Sequence, residues 1–276
     1  MEEHNTLVVI NPVAGSVIDA QRYRTAIAER LAAIGWSCTF YGTAPGEDLT
    51  AVVQEFCEEG GRRVIAVGGD GTIGEVVNGL VGTDVPLGII PLGTGNLLAL
   101  GIGIPRRFED ALALLVNNPG TIGLDTMYMA GRHFVLNVSA GISSASIRDT
   151  TTADKRRFGM LAYIWRIVGH LFRFRSYHFN LELDGDARAV RATEVLVSNG
   201  ALMENLLSVL GPRETFCDGQ LEVYVVNGRS LLDYMELFLR RLVRRPDRHV
   251  QLRHFSVTRT VKISAPAKSR LIQADG

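Results

Sequence analysis

The chain has 276 residues, 46% hydrophobic and 21% charged, with a formal net charge of zero. That is the composition of a globular protein with one large or two ordinary domains, and it excludes a disordered or fibrous chain. The charge is unevenly spread: residues 1–125 hold 7 Lys/Arg against 15 Asp/Glu, and residues 126–276 hold 22 against 14. The split points to two domains with different partners, the basic half suiting an anionic lipid surface or nucleic acid, or else to a solvated charge difference with no partner.

Thr6–Ile10 reads as a first strand, Asn11–Ser16 as a polar turn, and Ala20–Ile34 as a helix ended by Gly35. A second strand, Ser37–Tyr41, and a helix, Asp48–Glu59, follow. Arg63–Val67 is a buried strand that breaks on Gly68-Gly69-Asp70-Gly71 before a helical run to Leu80. Pro86–Ile90 repeats the device: a strand, the turn Pro91-Leu92-Gly93-Thr94-Gly95-Asn96, then a helix from Leu97. Such turns aim backbone N–H groups from a helix N-terminus, a ready site for phosphate. A carboxylate there, Asp70, suggests Mg²⁺ or a hydroxyl partner, or else a simple helix cap. The alternation predicts a parallel sheet, and two glycine turns closing its strands should lie side by side at the carboxyl edge, where α/β sheets bind ligands.

Phe108–Val116 is one more helix. Beyond it the pattern changes to strands at Phe134–Val138, Phe179–Leu183, Val190–Ser198, Leu221–Val226 and Thr260–Ser264, with a hairpin signal at Asp184-Gly185-Asp186. Helices are expected over Phe158–Phe174 and Leu231–Arg245. The fold class is α/β: an N-terminal parallel-sheet nucleotide-binding domain over 1–126 and a mostly antiparallel β-sandwich domain over 127–276.

Other signals are negative. Cys38, Cys57 and Cys217 make no CxxC, which fits a reducing cytoplasm. The acidic start is no signal peptide, and the uncharged run Val85–Pro105 is too broken by Pro and Gly for a membrane span. Gly69–Gly74 spells GxGxxG, but no acidic residue follows about 20 positions on, so a dinucleotide oxidoreductase is disfavoured; no P-loop motif exists.

Asn11-Pro12, Gly68-Gly69-Asp70-Gly71-Thr72 and Pro91–Asn96, in this order and spacing, resemble the diacylglycerol kinase catalytic-domain family, which includes bacterial lipid kinases and sphingosine and ceramide kinases. The likeness extends to Asp125, Asp218-Gly219-Gln220-Leu221 and Asp275-Gly276. It implies an NAD kinase/diacylglycerol kinase-like fold with ATP and lipid meeting in a cleft. It implies ATP contacts from Asn11, Pro12, Gly15, Thr43, Gly68 to Gly74, Gly93, Thr94 and Asn96. Asp70 and Asp125 would join a Mg²⁺ and water network, and Asp275 would be the general base for the lipid hydroxyl. Asp218, with the carbonyls of Thr215 and Gln220, matches a structural Mg²⁺ loop of bacterial members.

Two departures stand out. Leu97 replaces the Asp of many bacterial members, and the sequence ends at Gly276 where the family continues with Glu and a further strand, so either the chain is truncated or its site is incomplete. The expectation is a cytoplasmic, ATP- and Mg²⁺-dependent lipid kinase of phospholipid metabolism, peripheral at the inner face of the membrane, with no nucleic-acid partner. The runs 155–168 and 240–245 read either as membrane-facing basic surfaces or as ordinary helices on the sandwich. The alternatives are an NAD kinase-like enzyme, which shares the Gly-Gly-Asp-Gly motif, or a nucleotide- or lipid-binding regulator without catalysis. Oligomeric state, a dimer among the options, and the lipid's identity are not legible.

Overall fold

The computed structural model describes residues 5–12, 20–117, 120–141, 176–199, 216–228, 252–264 and 272–275. The helices expected over Phe158–Phe174 and Leu231–Arg245, and the basic runs 155–168 and 240–245, lie outside the described residues. The chain divides into two compact units, Met1–Val135 and Leu136–Asp275.

The first unit is built on four strands: β1 (Asn5–Ile10), β2 (Ser37–Gly42), β3 (Arg63–Gly68) and β4 (Leu87–Pro91). They form one sheet in the order β2-β1-β3-β4, every pair parallel. β1 and β3 are continuous apolar runs because both faces of the sheet are covered. Helices α1 (Ala20–Ala33) and α5 (Phe108–Val116) cover one face, where Ile27, Leu31, Ala111 and Leu112 pack with Val8, Ile10, Ile65, Val67 and Ile90. Helices α2 (Leu49–Glu58) and α3 (Asp70–Leu80) pack against each other. Asp48 caps α2 by accepting from the Ala51 amide, and at its other end the Gly60 and Gly61 amides return to Cys57 and Phe56 carbonyls. The short helix α4 (Leu97–Gly101) follows β4, and the hairpin β5 (Met127–Met129), β6 (Arg132–Phe134) ends the unit.

Among the described residues, every strand pair of the second unit is antiparallel. One sheet of five has the order β12-β11-β10-β7-β14, from β7 (Asn137–Gly141), β10 (Glu194–Asn199), β11 (Leu221–Val226), β12 (Leu252–Val257) and β14 (Ile272–Ala274). A sheet of three runs β13-β8-β9, from β8 (Tyr177–Leu183), β9 (Asp186–Ala192) and β13 (Val261–Ser264). Alternate residues Phe179, Leu181 and Leu183 of β8 are buried, as are Val195 and Val197 of β10. Asp184 and Gly185 both take positive φ, 49° and 98°, and make the two-residue β8–β9 turn that Asp-Gly signals.

The expected strand Phe134–Val138 is two strands with a bend at Val135 and Leu136. There the Leu136 and Asn137 amides turn to the Asp275 carboxylate, and the Leu136 carbonyl accepts from the Asn199 amide. The single run Val190–Ser198 likewise breaks at buried Thr193, whose amide and hydroxyl both donate to the Val226 carbonyl. Strand β12 carries too mixed a pattern to be read from sequence.

Candidate functional site

Because β1 lies between β2 and β3, and β4 beside β3, the chain leaves the carboxyl edge at four adjacent points. The ladder runs one bond past each strand end. The Asn11 amide donates to Val67 O (3.1 Å), Thr43 to Ile10 O (3.0 Å) and Leu92 to Gly68 O (2.8 Å). Asn11, Thr43, Gly69 and Leu92 therefore start their turns at one level.

The two glycine turns touch through their backbones. A methyl placed on Gly93 would lie 2.5 Å from Gly69 Cα, and one on Gly69 would lie 3.2 Å from Gly93 Cα. No side chain fits between them, so only this residue pair permits the approach. Behind the contact, Asn11 Nδ2 donates to Thr72 Oγ1 (3.1 Å), tying the end of β1 to the first turn of α3.

Asp70 does not cap its own helix. Gly69 is the N-cap of α3 and supplies no side-chain acceptor, while Asp70 Oδ1 accepts from the Leu98 amide in the first turn of α4 (3.2 Å). The carboxylate thus crosses from the first glycine turn to the helix behind the second. The α3 amides at Gly71 and Thr72 are left without a side-chain cap, at the positive end of an 11-residue helix. Gly71 is exposed, and nothing lies within 4 Å of where its Cβ would be.

Asn96 closes the second turn from inside. It is buried and left-handed (φ 52°), its Oδ1 accepts from the Gly93 amide (2.9 Å), and its Nδ2 donates to the Gly93 carbonyl (2.7 Å). Thr94, at the tip, is exposed, and its carbonyl accepts from Arg106 Nη2 (3.5 Å). Pro12 is exposed beside Asn11, and Gly15 lies outside the described residues. Gly74 carries the carbonyl that accepts from Asn78 Nδ2 (2.8 Å).

Asp125 is half-buried in the segment before β5. Its neighbour Thr126 bonds through Oγ1 to His133 Nδ1 (2.9 Å). The His133 backbone is in turn paired by the Asn78 side chain, which accepts from its amide and donates to its carbonyl, both at 2.8 Å. Asn78 therefore pins the Asp125 segment to α3, a role with no sequence signal, since an Asn inside a helix reads as a solvated position.

In the second unit, Asp275 follows β14 in the left-handed region (φ 47°). Its Oδ1 accepts from the Leu136 (2.9 Å) and Asn137 (3.0 Å) amides, and its own amide donates to Asn137 O (3.0 Å). Asp218 is exposed, and its Oδ1 accepts from the Gln220 amide (2.9 Å) across Gly219, an Asx turn leading into β11. Thr215 lies outside the described residues. Among the described residues no three His, Cys, Asp or Glu side chains converge as a metal cage.

Residues 5–127 match the family model of the diacylglycerol kinase catalytic domain, and residues 136–276 match that of the YegS C-terminal NAD kinase beta sandwich-like domain. A diacylglycerol kinase of Bacillus subtilis is 26% identical over 270 residues, covering 96% of this chain and 87% of that relative. An uncharacterized Synechocystis protein is 26% identical over 276 residues, covering 95% of this chain, which spans 63% of that relative's length. The crystal structure of a diacylglycerol kinase from Bacillus anthracis, 22% identical, superposes with a TM-score of 0.73, covering all of this chain and 91% of that one. At that identity the superposition speaks for the fold.

Proposed function

We infer that this chain, which belongs to the diacylglycerol kinase family, transfers the γ-phosphate of ATP to the hydroxyl of a diacylglycerol-like or sphingoid lipid. The observation that carries the reading is the Gly69–Gly93 contact, which sets an uncapped helix start beside a second glycine turn. Phosphoryl transfer asks chiefly for positioning and charge neutralisation, and such a cradle supplies both.

In this reading the α3 amides hold phosphate oxygens where Gly71 leaves open space, and Asn96 keeps the second turn in shape. Asp275 accepts the hydroxyl proton as the lipid oxygen attacks phosphorus and ADP leaves. Its carboxylate is aimed by the two amides at Oδ1. Asp70, Asp125 and the Asp218 loop offer only oxygen donors, which suits Mg²⁺, an ion that keeps waters and phosphate oxygens rather than a full protein cage. Held at Asp70 and Asp125, Mg²⁺ would neutralise charge on the transferring group; at the Asp218 loop it would be structural. No helix among the described residues is long and apolar enough to cross a membrane, so access to lipid is proposed to be peripheral.

The test is transfer of labelled γ-phosphate from Mg-ATP to vesicles carrying diacylglycerol, ceramide or sphingosine. Label in one of these lipids supports the reading. Label in NAD instead would move the protein to the NAD kinase-like alternative. ATP binding with no acceptor labelled would make it a regulator.

A further inference from the structure

The nucleotide-binding half has no lysine at all: residues 1–135 carry only arginine as a full cation. Residues 1–125 are moreover net acidic, and the cradle itself contains the Asp70 carboxylate. Beside the amide dipoles and the proposed Mg²⁺, any full side-chain cation that this half offers a polyphosphate at that edge is an arginine. Arg30 lies in the last turn of α1, and Arg62 and Arg63 at the start of β3, all at the other end of the strands from the glycine turns. Arg24 lies over the Phe40 ring, at 5.6 Å, with its Nη2 beside Gly42 at the end of β2. Arg107 pairs with Asp110 at 3.7 Å.

Arg106 is singled out by its bond to a glycine turn. The segment before it is locked: the Ile104 amide returns to Ala99 O (2.8 Å) and the Ile104 side chain packs on the core. The residue two places on, Phe108, packs on Tyr23 with ring centroids 4.5 Å apart. Held between these anchors, Arg106 is exposed yet reaches back 12 positions to the Thr94 carbonyl, at the tip of the second glycine turn. One guanidinium N–H meets that carbonyl, and the fork has four more to offer.

We propose that Arg106 binds the polyphosphate tail of the nucleotide, clamping it against the Gly93–Asn96 turn. The proposal rests on the kinase reading above and adds a phosphate ligand that the glycine motifs do not contain. The test measures displacement of a fluorescent ATP analogue by ATP and by inorganic tripolyphosphate, for the wild type, Arg106→Gln, Arg106→Lys and Arg107→Gln. Arg107→Gln removes the same charge one residue away and controls for the general field.

Arg106→Gln should weaken ATP and tripolyphosphate by the same factor, about ten- to hundred-fold. Arg106→Lys should fall between it and the wild type, and Arg107→Gln should stay within about twofold of the wild type. A thermal melt of each variant reports whether it is folded. Equal affinities in Arg106→Gln and the wild type, an unchanged tripolyphosphate constant, or an equal loss in Arg107→Gln would each overturn the proposal and leave the kinase reading intact. A wild type that binds neither ATP nor tripolyphosphate would overturn both.

Discussion

Gly93 lies against Gly69 so closely that a methyl on Gly93 would stand 2.5 Å from Gly69 Cα and 2.8 Å from Asn96 Oδ1. The obstacle on one side is backbone and on the other a side chain already bonded twice to Gly93, so neither can step aside. Gly93→Ala should therefore cost about 1–3 kcal/mol, read as a drop in the thermal midpoint, and separate the two turns. Its ATP affinity should fall with it.

Gly71→Ala makes the complementary experiment. Nothing lies within 4 Å of the added methyl, and the position is helical, so the free protein should be unchanged or more stable by up to about 1 kcal/mol. If phosphate occupies that open space, ATP binding should weaken at least tenfold in a protein that melts no lower. Wild-type ATP affinity in Gly71→Ala would place the phosphates elsewhere.

Asp70 joins the turns from the other side through the Leu98 amide. Asp70→Asn keeps an oxygen for that amide and Asp70→Ala does not, so only the alanine variant should lose stability, about 1 kcal/mol by analogy with a lost cap. Phosphoryl transfer should fall at least a hundredfold in both, because the charge is gone in both. The paired melts and rates separate the latch from the chemistry; a fully active Asp70→Asn would reduce Asp70 to the latch alone.

The glycine turns were legible because turn chemistry is local: glycine after an apolar strand has few other uses. Their side-by-side placement followed from the parallel alternation, and in the structure their backbones touch. What bonds across them was not legible. Asp70 finds Leu98 28 positions on and Asn78 finds His133 55 positions on, and such pairs exist only once the sheet order is set. The hairpin at Ala130-Gly131 escapes a sequence reading because alanine at φ 51° is not a turn signal. Leu136 reads as mid-strand because its apolar neighbours outweigh a carboxylate 139 positions away.

Asp184 predicts a pH dependence of the second unit. Its carboxylate accepts from the amides of Thr258, Arg259 and Thr260 (2.8–2.9 Å) and from the Thr258 hydroxyl, gathering the loop between β12 and β13. The Thr258 amide first, then that of Thr260, hold the carboxyl at a pKa of about 2, below its ordinary value of 3.8. A depressed carboxylate stabilises the fold fully above the unfolded pKa and loses that effect as pH falls from about 4 through about 2. Asp184→Ala should melt below the wild type at pH 7, and the gap should narrow steadily between pH 4 and pH 2. A gap independent of pH would show that the side chain's shape, not its charge, holds the loop.

Asp275 permits the cleanest test of general-base catalysis, provided the substitution respects its backbone. At φ 47° an alanine would be strained, whereas asparagine is among the few residues that accept the left-handed region. Asparagine also presents an oxygen to the Leu136 and Asn137 amides, so Asp275→Asn should fold and melt as the wild type does. What it lacks is the capacity to take the hydroxyl proton. Its kcat for lipid phosphorylation should fall by about 10²–10⁴, with ATP affinity unchanged. Asp275→Ala should lose stability as well, so its lost activity would prove little. If Asp275→Asn retains more than a tenth of the wild-type kcat, the proton leaves by another route and Asp275 serves the bend at Leu136 alone.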